Sequence, residues 1–109
     1  MPEASEAFGL PATALQSIRS VLARHPQVVR AEIYGSRAMA RHRPGSDIDI
    51  ALRGEALTAG DLLAIDRKLD DLELPYRIDL SAYHLIDDAA LRAHIDRVGR
   101  GLYEAVRVP

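Results

Sequence analysis

The 109-residue chain has no cysteine, so disulfides, thiolate nucleophiles and zinc–thiolate sites are all excluded. It has no apolar run near the roughly 20 residues that a membrane-crossing helix needs. Its opening stretch, MPEASEAFGLPATAL, carries Glu3 and Glu6 where a secretory signal wants basic residues, and it is nowhere continuously apolar. A cytoplasmic protein is therefore expected. Basic charge is not in excess: 14 Lys and Arg stand against 16 Asp and Glu, a formal net charge of -2. That balance argues against an extended nucleic-acid surface while leaving room for a small basic pocket. The four histidines, His25, His42, His84 and His94, lack zinc-site spacing and read as surface or helix-face residues. Repeats, linkers and low-complexity segments are also missing. What remains is 48% hydrophobic and 28% charged, the composition of one ordinary globular domain spanning residues 1–109.

Apolar spacing marks alternating helices and strands. Leu15, Ile18, Val21 and Leu22 recur at helical intervals within Thr13–Arg24, and Pro26 follows as a stop. In Val28–Tyr34, Val29, Ala31 and Ile33 alternate with Arg30 and Glu32, the period of a half-buried strand that Gly35 ends. Ser36–Arg41 is expected to be a short helix with Ser36 at its mouth, Pro44-Gly45-Ser46 a turn, and Asp47–Leu52 the second strand. Thr58–Leu72 carries Leu62, Leu63, Ile65, Leu69 and Leu72 on one broad stripe and reads as a covering helix. Tyr76–Ser81 is a third strand, and Asp87 is placed to cap a last helix from Asp88 to about Val98. Asp70-Asp71 reads as a solvated helix end. The tail, Gly101–Val108, is too short to assign; its Leu102, Tyr103 and Val106 either pack on their own domain or form an interface. Helices interleaved with strands imply an α/β or α+β sheet with helices packed on it.

The chemistry concentrates in GSRAMARHRPGSDIDI, residues 35–50: Gly-Ser, ten residues, then Asp-Ile-Asp. Gly35, between a strand and an expected helix, lets backbone approach a ligand closely, with the next N–H groups directed outward at an anion. Ser36 adds a hydroxyl, and Arg37, Arg41 and Arg43 add positive charge suited to a polyphosphate, with Arg37 the strongest candidate for direct contact. Asp47 and Asp49 lie two apart on a strand, so both carboxylates leave one face while Ile48, Ile50 and Leu52 turn to the core. Mg²⁺ favours one or two carboxylates plus substrate phosphates. In YRIDLS, Asp79 falls on the polar face of the third strand and joins the pair if that strand lies beside the second. Three carboxylates suffice for two metal ions about 3.5 to 4 Å apart, and Asp79 is also placed to accept a proton from an attacking hydroxyl.

Gly35-Ser36, ten residues, Asp47-Ile48-Asp49 and the later Asp79 resemble the minimal nucleotidyltransferases of the DNA polymerase β superfamily. The resemblance covers nearly the whole chain. It implies a nucleotidyltransferase fold with a small mixed β-sheet flanked by helices. It also implies Asp47 and Asp49 as Mg²⁺ ligands, Asp79 as third ligand and base, and Gly35-Ser36 gripping the triphosphate of ATP. Larger relatives carry a separate acceptor-binding domain for which 109 residues leave no room. Short members resemble the MNT components of two-gene modules whose partner is a HEPN-domain protein. Some such pairs are antitoxin and toxin, the enzyme adding AMP to a tyrosine of the partner. Two alternatives stand beside this expectation: a non-catalytic antitoxin that neutralises by complex formation, and a small-molecule nucleotidyltransferase that completes its acceptor pocket as an oligomer.

Overall fold

Leu15, Ile18, Val21 and Leu22 bury one face of the first helix, α1 (Ala12–Ala23), in the computed structural model, which describes residues 7–106. Helix α2 (Ala59–Asp70) starts at a reciprocal capping box: the Thr58 hydroxyl accepts from the Asp61 N–H at 3.1 Å, and Asp61 accepts from the Thr58 N–H at 3.0 Å. Helix α3 (Ala89–Val98) is capped by Asp88, one residue later than the expected Asp87, because the Asp88 carboxylate reaches the N–H groups of Ala90 and Leu91.

Four strands form one sheet in the order β3-β2-β1-β4: β1 (Arg30–Tyr34), β2 (Ile48–Arg53), β3 (Ile78–Ala82) and β4 (Arg100–Glu104). β1 pairs antiparallel with β2 and β4, whereas β2 and β3 run parallel, so the sheet is mixed and the architecture is α+β. A parallel pair needs a crossover, which α2 supplies. Ile33 on β1 and Ile48, Ile50 and Leu52 on β2 are fully buried in the main core, which also takes in Ile18 and Leu22 of α1 and Ile65 and Leu69 of α2. The opposite face carries a smaller cluster, Tyr34 and Ala51 beneath Ile95 of α3. Arg53 fastens the far end of that helix: it donates to Glu32 at 2.8 Å and Asp96 at 3.0 Å and lies 3.8 Å from the centre of the Tyr83 ring.

Two segments depart from expectation. Ser36–Arg41 is a succession of turns instead of a helix: Met39 N–H bonds to Gly35 and Arg41 N–H to Ser36, and Ala40 then takes a left-handed φ of 57°, which ends any helical course. The tail forms β4, which pairs with β1 across a register shift at Ala31 and Glu32. Leu102 is 3% exposed and Tyr103 packs against the core, whereas Val106 is 92% exposed.

Truncation of a buried leucine removes both transfer energy and packing. Leu102→Ala is expected to cost about 2 to 5 kcal/mol of unfolding free energy, and Val106→Ala to stay within about 0.5 kcal/mol; urea denaturation checks both.

Candidate active site

Strand register assembles the site. Tyr34 lies opposite Asp49 across the antiparallel pair, and Asp49 lies beside Asp79 across the parallel one. Adjacent strands stand about 4.8 Å apart, so the three side chains form a row on the face that α3 partly covers. Asp47 immediately precedes β2 and is exposed, as is Asp79, while Asp49 is half-buried between them. Gly35 ends the neighbouring strand at φ +75°, and a Cβ there would run into the Asp49 carboxylate. This is the one position in the motif where both the backbone conformation and the close approach demand glycine.

The electrostatics follow from that crowding. Burial, then the charges of Asp79 and Asp47, push the Asp49 carboxyl above its ordinary 3.8, against a lowering influence of His94 on α3. Burial likewise raises the Tyr34 phenol above 10.0; the Ser81 hydroxyl opposes this, and the charges of Asp49 and Asp79 add to it. The His94 ring meets the Tyr34 ring edge-on at 6.1 Å. His94 and Tyr34 thus belong to the site, a placement that sequence reasoning missed. Tyr34 had a signal, since strand parity puts it on the face of Asp49; His94 had none, because only the docking of α3 brings it there.

Arg37 has a different post from the one expected. It is 3% exposed, and its guanidinium donates to the carbonyls of Ser46 at 2.8 and 3.2 Å, Phe8 at 2.8 Å and Gly9 at 3.4 Å. It also lies 5.1 Å from the centre of the Tyr76 ring. A guanidinium committed in this way ties the loop to the segment before α1 and is not free to grip phosphate. Ser36 is half-buried at the turn, and Arg41 and Arg43 are exposed beyond it. Ser46 closes the Pro44-Gly45 turn, its hydroxyl accepting from the Arg43 N–H at 2.8 Å.

Among the described residues no three His, Asp or Glu side chains are gathered tightly enough to ligate one ion as they stand. Mg²⁺ asks for less. It keeps several waters and takes one or two carboxylates together with substrate phosphates. The donor set fits it: all-oxygen ligands at one end of two adjacent strands, and an Asp49 whose charge its neighbours disfavour until a cation relieves them. A groove of about 530 Å³ opens beside Asp47 and Asp79. A larger cavity, about 800 Å³, lies at the other end of the strands beside Arg53 and Tyr83, far from the carboxylates.

The family model for polymerase beta nucleotidyltransferases matches residues 16–107. No curated protein matches the sequence. The fold is shared with a chain of a toxin–antitoxin complex with AMP-PNP, at a TM-score of 0.69 and 20% identity over 84% of this chain and 73% of that one. A chain of the MntA–HepT toxin–antitoxin complex matches at 0.65 and 19%, over 86% and 73%. So does one from the complex of a tri-AMPylated Shewanella oneidensis HEPN toxin with MNT antitoxin, at 0.65 and 19%, over 86% and 72%.

The raised Asp49 carboxyl has a stability consequence. Folded Asp49 holds its proton more readily than unfolded Asp49, so its contribution is fully favourable below the ordinary 3.8 and is lost as pH rises through the folded value. At neutral pH the charge is a net cost. Asp49→Asn, unfolded thermally in chelator, is expected to melt higher than the parent at pH 7, with the gap closing as pH falls toward 3.8. An equal or lower melting temperature at pH 7 would contradict this.

Proposed function

The chain belongs to the polymerase beta nucleotidyltransferase family, and from that premise we propose that it transfers AMP from ATP to a hydroxyl, a tyrosine of a HEPN-domain partner, and so serves as the antitoxin of a toxin–antitoxin pair. The observation that carries the reading is the row of Asp49 and Asp79 beneath the Gly35 turn, with Asp47 at its rim. The neighbours with MNT antitoxin, HEPN toxin and AMP-PNP support the choice of partner and nucleotide.

Each residue then has a defined task. Gly35 admits the triphosphate close to backbone, and the Ser36 hydroxyl donates to a phosphate oxygen. Asp47, Asp49 and Asp79 would hold one or two Mg²⁺ ions, whose positive charge neutralises the phosphates and the departing pyrophosphate. Asp79, exposed near the start of an edge strand, accepts the proton of the acceptor hydroxyl as that oxygen bonds to the α-phosphorus. The bond from the α-phosphorus to the bridging oxygen breaks, and pyrophosphate leaves. Arg41 and Arg43 supply exposed positive charge near the phosphates, while Arg37 keeps the loop in shape. An acceptor on another polypeptide suits an Asp79 that faces outward. A cytoplasmic setting completes the proposal; among the described residues no helix is long and apolar enough to cross a membrane.

The test uses ATP labelled on its α-phosphate, Mg²⁺ and, as acceptor, the product of the adjacent gene. Label is expected to enter the partner, and Asp47→Asn/Asp49→Asn to reduce transfer to background. Transfer that survives loss of both carboxylates would sink the mechanism.

A further inference from the structure

The open edge of the sheet carries a trough whose shape and charge identify an occupant. Among the described residues β3 pairs with β2 alone. The groove beside it is lined by four consecutive residues, 77–80. Side chains alternate between faces along a strand, so consecutive residues line one groove only where it follows the strand's edge. The Ile48 N–H donates to the Arg77 carbonyl at 2.8 Å, which turns the Arg77 backbone toward β2. By alternation the N–H and C=O groups of Ile78 and Leu80 point outward, into the trough.

The opposite wall is α2. Leu62 and Leu63 give it an apolar floor, Leu63 being 56% exposed. A second hollow of about 250 Å³ shares Asp66, Arg77 and Ile78 with the first and extends the trough past Asp70. Asp66 and Asp70, one helical turn apart and both exposed, line the trough with one basic residue, Arg77. Asp47 and Asp79 stand at the other end. The trough is therefore long, apolar-floored, net acidic along its wall and bordered by backbone that has no strand partner among the described residues, and it leads to the proposed general base.

We propose that this trough binds the acceptor as an extended, basic polypeptide segment that adds a fifth strand to β3. The segment's backbone pairs with Ile78 and Leu80, its Lys or Arg side chains meet Asp66 and Asp70, and its hydroxyl-bearing residue is delivered to Asp79. Strand addition of this kind draws affinity from main-chain hydrogen bonds and specificity from alternate side chains. The inference rests on the transferase reading and deepens it by naming the form and charge of the acceptor.

The probes are a copolymer of lysine and tyrosine and a copolymer of glutamate and tyrosine, both without nucleotide. The lysine–tyrosine copolymer is expected to bind the full chain and to slow amide hydrogen exchange at Ile78 and Leu80. Asp66→Lys/Asp70→Lys, changed at two exposed positions, is expected to weaken that binding about tenfold, the size expected when two surface charge pairs turn repulsive. Equal binding of the glutamate–tyrosine copolymer, protection confined to other segments, or unchanged affinity in the double variant would each overturn the proposal. Because binding and exchange need no ATP, the two readings fail separately. Protection of β3 by the lysine–tyrosine copolymer, with no label reaching the partner in the ATP assay, would sink the transferase reading, and label transfer in that assay without this protection would sink this one.

Discussion

The active end of this molecule depends on a guanidinium buried without a carboxylate partner among the described residues. Moving a charge out of water costs several kcal/mol even after relaxation, so Arg37 stays inside only because the carbonyls of Phe8, Gly9 and Ser46 accept its N–H groups and the Tyr76 ring lies close by. Those partners come from both sides of the motif. One set precedes α1; the other lies just before Asp47. Arg37 itself sits two residues after Gly35, so a single side chain sets the distance between the Gly35 turn and the strand that delivers the carboxylates. The ten residues between Ser36 and Asp47 are the loop that it closes.

The carboxylates are held against their own repulsion by packing on the other side of the sheet. Ile48, Ile50 and Leu52 are fully buried, and a slip of one residue would turn them to the opposite face. That penalty fixes the β2 register and keeps Asp49 beside Asp79. The outcome is a site strained electrostatically before any ligand arrives, the kind of stability that proteins give up at functional positions. Gly35 adds to the crowding by leaving no gap between backbone and the Asp49 carboxylate.

Much of this was legible in the sequence because it depends on local alternation. Ile48 and Ile50 around Asp49, and Ile78 and Leu80 around Asp79, declare which face each carboxylate takes. The apolar stripes of α1, α2 and α3 declare the helices. What escaped depends on distant contacts. Arg37 reads as a phosphate ligand until Phe8 and Gly9, nearly thirty residues earlier, are seen to claim it, and the left-handed Ala40 ends the expected Ser36–Arg41 helix as turns. β4 has one buried residue, Leu102, and a glycine beside it, so it owes its existence to the free edge of β1 and not to its own pattern. His94 reaches the site only through the packing of Ile95 on Tyr34 and Ala51.

The central claim is that the carboxylates at the head of β2 and β3 form a cation site completed by nucleotide phosphates. Calorimetric titration with a non-hydrolysable ATP analogue, with and without Mg²⁺, tests it most directly. The account predicts that the analogue binds tightly only with Mg²⁺, and that Asp49→Asn weakens Mg²⁺-dependent binding by about tenfold or more, as loss of metal-site groups does elsewhere. Affinity that is indifferent to Mg²⁺, or unchanged in Asp49→Asn, would contradict it.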